Sequence, residues 1–75
     1  MNEVKTPMFS LKTLRAMKDM TQKEAGKAVG VSEYTWHNWE HFKSFPNAKN
    51  IADIQEAFGV SYDQIIFLPN TTVKP

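Results

Sequence analysis

The sequence predicts an all-α protein, a compact globule of five short helices. Three observations carry that expectation. Helix-capping and helix-stopping residues recur at short intervals along the chain, and the apolar residues between them repeat three and four apart. No stretch alternates apolar and polar residues over a useful length, so no strand is expected.

Each element follows from its own signals. Ser10 is placed to cap a first helix with Leu11, Leu14 and Met17 on one stripe. Thr21-Gln22-Lys23-Glu24 is a capping box that opens a second helix, which Gly30 stops with a left-handed residue. Ser32 caps a third helix to about His41, with Trp36 and Trp39 on its inward stripe. Phe42 to Pro46 reads as a loop, because Pro46 disfavours helix at Phe45. Asn47 caps a fourth helix with Ile51, Ile54 and Phe58 as its stripe and Gly59 as its stop. Ser61-Tyr62-Asp63-Gln64 resembles another capping box and predicts a fifth helix through Ile65, Ile66 and Leu68, ended by Pro69. The expected organisation is a flexible N-terminal arm over 1–9, one domain over 10–68 and a tail over 69–75.

Composition removes several function classes. Seventy-five residues hold one core and leave no room for an enzyme-sized cleft. The absence of Cys excludes disulfide staples, zinc ribbons and thiolate catalysis. At 41% hydrophobic and 23% charged, the chain has the balance of a folded globule. The longest apolar run, Ile65 to Leu68, is far too short to span a bilayer, and Met1 to Pro7 lacks the apolar core of a signal peptide. A cytoplasmic protein with no membrane partner is expected.

The net charge is only +1, but its distribution is uneven. Residues 1–28 carry six bases against three acids, whereas residues 51–68 carry Asp53, Glu56 and Asp63 with no base. A basic end and an acidic end suggest a face that binds anions.

Gln22 to Trp39 is the most specific segment. Gly26 lies inside the second helix, Gly30 lies in the turn, and Trp36 and Trp39 follow at helical spacing. Two helices that cross closely need a small residue at the crossing and a residue with positive φ between them. A mid-helix Gly costs about 1 kcal/mol against Ala, so it calls for such a packing reason. The order of residue types is that of a helix-turn-helix.

Leu14-Arg15, Met20 to Gly26, Val29-Gly30-Val31-Ser32, Trp36, Trp39-Glu40, Pro46, and Ala57 to Ser61 leading into Ile65-Ile66 carry a wider pattern. With them the chain resembles the lambda-repressor/Cro-like helix-turn-helix family, also called the xenobiotic-response-element type of phage or bacterial regulator. The resemblance runs over roughly Leu11 to Leu68. It implies a sequence-specific DNA-binding transcriptional regulator, a repressor of Cro type, whose third helix enters the major groove.

The resemblance also implies roles. Glu33, Tyr34, Thr35 and Asn38 match the base-contacting positions of the recognition helix; Asn38 has the amide chemistry to read adenine, and Glu33 to accept from cytosine. Gln22 matches a phosphate contact at the start of the second helix, and Lys43 and Ser44 match a second backbone-contacting segment. Lys23 and Lys27 add charge toward phosphate. Arg15 and Glu40 match an internal ion pair. The implied partner is double-stranded operator DNA with an inverted repeat, bound by a homodimer whose half-sites lie about 34 Å apart. Helix five, with Ile66, Phe67 and the tail from Pro69, is the expected dimer surface, and a regulatory protein partner fits a chain with no ligand domain. Such a protein is nucleoid-associated when it is bound to DNA.

The sequence departs from that family at three places. Ala25 stands where a large aliphatic is usual and Trp36 where Ile or Val is usual, so Trp36 is expected to fill the volume that residue 25 gives up. His41-Phe42 stands where Asn-Gly is usual. The third helix carries no Lys or Arg. No cofactor, metal or catalysis is expected: His37 and His41 are spaced i, i+4, but Asn38 occupies the position where a zinc protease needs its general base. His37 reads as exposed and His41 as a helix C-terminal residue. The alternative reading is a protein-interaction module, an antitoxin-like or antirepressor-binding partner, on the same fold without DNA.

Overall fold

The computed structural model describes residues 7–67. Its elements are β1 (Phe9–Ser10), α1 (Leu11–Met17), α2 (Gln22–Ala28), α3 (Glu33–Glu40), α4 (Ala48–Phe58), a 3-10 turn at Tyr62–Gln64, and β2 (Ile65–Ile66). The fold is mostly helical, with four α-helices among the described residues.

Each helix starts on the expected side-chain cap. Ser10, Thr21, Ser32 and Asn47 accept from the backbone N–H three residues on, at 3.1, 3.0, 3.0 and 2.8 Å. The Thr21 box is reciprocal, with Glu24 Oε1 accepting from the Thr21 N–H at 2.8 Å. Asn50 closes a second box on Asn47. Such caps satisfy donors that a short helix cannot satisfy within itself.

Each helix also ends on a left-handed residue. Asp19, Gly30, Phe42 and Gly59 have φ of 54°, 77°, 59° and 67°. After α1, α2 and α3 the two returning hydrogen bonds of a Schellman motif follow, for instance Phe42 N–H to the Trp39 carbonyl and Lys43 N–H to the Asn38 carbonyl. Glycine meets this demand freely, whereas a bulky residue in that region costs roughly 1–2 kcal/mol. Phe42 bears that cost and still ends α3 at the expected place.

One core gathers the stripes, apart from Met17, which was expected on the α1 stripe but stands exposed at the last residue of that helix. Leu11, Leu14, Ala25, Val29, Trp36, Trp39, Ile54, Phe58 and Ile65 form the buried cluster. Trp36 and Ala25 are both fully buried, as volume compensation between them requires. The Trp36 ring stacks on Phe58 at 5.8 Å between centroids and meets Trp39 at the same separation in a tilted pair. Gly26 explains how α2 and α3 approach. A Cβ there would lie 2.8 Å from the Val31 carbonyl oxygen and 2.9 Å from that of Ser32.

The fifth helix is a correction. Gln64 Oε1 accepts from the Ser61 N–H at 3.0 Å, but the Ser61 hydroxyl turns toward the same oxygen, and only one 3-10 turn forms. Ile65 then adopts extended geometry and enters the core. With Pro69 so close, a helix here would be too short to sustain itself, and β-branched Ile65-Ile66 favours the extended form. The expectation of no strand is corrected with it: Phe9 and Ser10 pair in parallel with Ile65 and Ile66. Two-residue strands have no period to read in the sequence. Phe9, assigned to the flexible arm, is part of the fold and packs against the core. Phe67, proposed for a dimer surface on helix five, packs against the core and faces Tyr62 at 5.5 Å. Residues 1–6, Leu68 and the tail from Pro69 lie outside the described residues.

The crossing makes a quantitative prediction. Gly26→Ala should destabilise the protein by about 1–3 kcal/mol, because backbone carbonyls must move to admit the methyl group. Gly30→Ala meets no atom but must hold positive φ, and should cost about 1 kcal/mol. Urea denaturation checks the ranking; an unchanged midpoint for Gly26→Ala would contradict the close approach.

Candidate nucleic-acid interface

The interface is built around a carboxylate. Glu40, in the last turn of α3, has a side chain only 2% exposed. Its Oε2 accepts from Arg15 Nε and from Trp36 Nε1. Its Oε1 accepts from Arg15 Nη2 at 3.1 Å and from Gln22 Nε2 at 3.0 Å. The Arg15 guanidinium therefore grips both oxygens in the fork geometry that suits it, and its Nη1 reaches the Met20 carbonyl at 3.0 Å. Glu40 thus joins α1, the α1–α2 loop, the first residue of α2 and the body of α3.

Burial pushes the Glu40 carboxyl up, but hydrogen bonds from Arg15, Gln22 and Trp36 and the Arg15 charge outweigh it. They hold the group below the ordinary value of 4.5. The hydrogen bond to Glu40 raises Arg15, against a smaller opposing effect of burial. Both partners are charged at neutral pH.

Around this centre the candidate residues divide. Glu33 and Tyr34 stand exposed in the first turn of α3, Tyr34 at 73%. Thr35 and Asn38 are half-buried on the same helix, and the Thr35 hydroxyl accepts from Ser32 Oγ at 3.0 Å. Lys23 and Lys27 line a shallow groove with Gly30, Val31, Ser32 and Glu33, which brings their charge beside the start of α3. Lys43 is exposed and Ser44 half-buried just after the α3 stop. Gln22 is engaged inward: its amide nitrogen faces Glu40, and its Oε1 lies 3.3 Å from His37 Nδ1.

Two residues take part in polar contacts that the sequence did not assign to them. Trp36 donates to Glu40 as well as filling the core; its i, i+4 spacing from Glu40 was the available signal. His37 is half-buried, where an exposed side chain was expected, and lines a second concavity with Gln22, Glu33 and Tyr34. Its i, i+4 spacing from Glu33 was the clue. The His37 and His41 rings lie 4.2 Å apart.

A short helix, a glycine turn over a close crossing, and a second helix with one face buried and the other open define a helix-turn-helix protein. The family model described as "Helix-turn-helix domain" matches residues 10–70, and the chain belongs to that family, consistent with a lambda-repressor/Cro-like member. No curated protein and no solved structure matches the chain significantly. Membership points to a DNA-binding regulator, a class that is typically non-enzymatic. No helix among the described residues is long and apolar enough to cross a membrane.

The Glu40 cluster sets an acid limb. A carboxyl lowered in the folded state binds its proton more readily when unfolded, so its stabilisation is complete above about pH 4.5 and fades as the pH falls through the folded value. Glu40→Gln leaves Arg15 unpaired and should cost about 2–3 kcal/mol at neutral pH. The gap from wild type should narrow as the pH falls below 4.5 and Glu40 itself takes up its proton. Thermal unfolding across pH checks this, and a constant gap would contradict the cause.

Proposed function

We propose that this protein is a sequence-specific transcriptional regulator, a repressor of the Cro type, that reads operator DNA in the major groove with α3. Glu33, Tyr34, Thr35 and Asn38 contact bases. Gln22, Lys23, Lys27, Lys43 and Ser44 contact phosphates, Gln22 through the amide hydrogen that Glu40 does not take. A homodimer on an inverted repeat presents two such helices to successive major grooves, with half-sites about 34 Å apart. It acts in the cytoplasm, on the nucleoid, and a regulatory protein partner acts on it.

The observation that carries this reading is the division of α3. Trp36 and Trp39 are buried, while Glu33 and Tyr34, at the end that would enter a groove first, stand exposed. A helix held this firmly on one side, with large polar groups on the other, has the form of a reading head. The lack of Lys and Arg on α3 favours a second reading, a protein-interaction module that does not bind DNA.

Fluorescence anisotropy on short duplexes separates the two. DNA binding should weaken by orders of magnitude between low and physiological salt, because phosphate contacts release counterions. Lys43→Ala should weaken every sequence alike, whereas Asn38→Ala should cost about 1–3 kcal/mol on preferred sites and little on others. Affinity indifferent to salt and sequence, or no affinity at all, favours the interaction module.

A further inference from the structure

We propose that His37 is an additional DNA-contacting residue, held in one tautomer by Gln22 and Glu40 so that its Nε2 takes a proton when it meets an acceptor on DNA. The proposal rests on the DNA-binding reading of this face.

The polarity of the chain of hydrogen bonds is fixed at its buried end. An ionised carboxylate only accepts, so the atom that Gln22 turns to Glu40 must be the amide nitrogen. Oε1 then faces the other way and can only accept. His37 Nδ1, 3.3 Å from it, must therefore carry a hydrogen. In a neutral imidazole that leaves Nε2 bare, and among the described residues Nε2 has no hydrogen-bond partner. The ring lines a surface concavity with Gln22, Glu33 and Tyr34, beside two of the residues read as base contacts.

A bare Nε2 is an acceptor and finds nothing to bind on a phosphate oxygen or on guanine N7. Protonated, it donates to either and carries the positive charge that α3 otherwise lacks. The groups around it decide how that charge is received. Glu33 shares the concavity on α3, and Glu40 with its paired Arg15 lies behind Gln22. Tyr34 presents a phenol hydroxyl, and Gln22 from α2 an uncharged amide. The other imidazole, His41, sits 4.2 Å away, ring to ring. Where Nε2 meets a phosphate oxygen or guanine N7, and not an amino group of adenine or cytosine from which the bare nitrogen can accept, the contact is coupled to the uptake of one proton by His37. Imidazoles gain charge between about pH 8 and 5, where that coupling is measurable.

The test uses the full chain in two arms. In the free protein, long-range nitrogen–proton NMR of the imidazoles at pH 8 should show His37 as the Nδ1–H tautomer, and Gln22→Leu should release it. This arm needs no DNA, so it stands or falls apart from the functional reading. In the second arm, fluorescein-labelled 20-base-pair duplexes, one random pool and one set enriched by the protein, are titrated at fixed ionic strength from pH 8 to 5.5. Wild-type affinity should rise about tenfold across that range. His37→Gln should flatten the rise, while His41→Gln should keep it. An equal loss on pool and enriched duplexes for His37→Gln assigns the contact to phosphate, and an unequal loss to a base; both support the proposal. A wild-type rise that survives in His37→Gln, or one that His41→Gln flattens equally as a general effect of charge, overturns it. A His37 that is the Nε2–H tautomer at pH 8 overturns it as well. No binding of any duplex at any pH refutes the DNA reading itself, while the tautomer result still stands.

Discussion

The buried carboxylate of Glu40 is the constraint on which the rest depends. Among the described residues it is the one carboxylate that reaches three helices, taking both arms of the Arg15 fork, the indole of Trp36 and the amide of Gln22. Removing such a group from water is costly, and the cost is offset only if every lone pair finds a donor. The requirement fixes positions. Arg15 must lie against the end of α3, Gln22 must open α2 beside it, and Trp36 must turn its indole nitrogen outward from the core. Arg15 also holds the Met20 carbonyl, so the loop that leads into α2 is tied to the same point. By contrast Lys49–Asp53, an exposed i, i+4 pair at 3.0 Å, adds little.

The cluster matters more here because the helices are short. Three of the four span seven or eight residues, below the length at which a helix stands alone. Side-chain caps at the start and left-handed stops at the end leave few backbone groups unpaired, and core packing does the rest. The stops also set direction. Gly30 turns the chain so that α3 crosses over Gly26, and Phe42 turns it so that Lys43 leaves α3 at a defined point. Stability and the presentation of the polar face of α3 are thus two results of the same local geometry.

Most of this was legible because it is local. Caps, stops and the three- and four-residue stripes are fixed by neighbours in sequence, and Ala25 and Trp36, both expected in the core, are both buried. The Arg15–Glu40 pairing was accessible only through resemblance, since nothing in the spacing of residues 15 and 40 brings them together. The fifth helix misled because its cap signal was sound. What decided the outcome was Ile65, which the core draws in, and a partner strand at Phe9–Ser10 from the far end of the chain. Phe42 was opaque for another reason: left-handed geometry is a demand of the backbone, and a bulky side chain can be made to meet it. In the interface, exposed Glu33 and Tyr34 followed from helical phase. The inward turn of Gln22 and the involvement of His37 did not, because side-chain hydrogen bonding across α2 and α3 leaves no periodic trace.

A double-mutant cycle on Arg15 and Glu40 tests the central claim most directly. The stabilities of wild type, Arg15→Leu, Glu40→Gln and the double variant are measured by urea unfolding at neutral pH and low salt. If the pair is the joint that aligns α1, α2 and α3, the two substitutions should be strongly non-additive, with a coupling energy of about 2 kcal/mol or more. Additive losses, with a coupling below about 0.5 kcal/mol, would mean that each side chain acts by itself and that the helices are aligned by the apolar core alone.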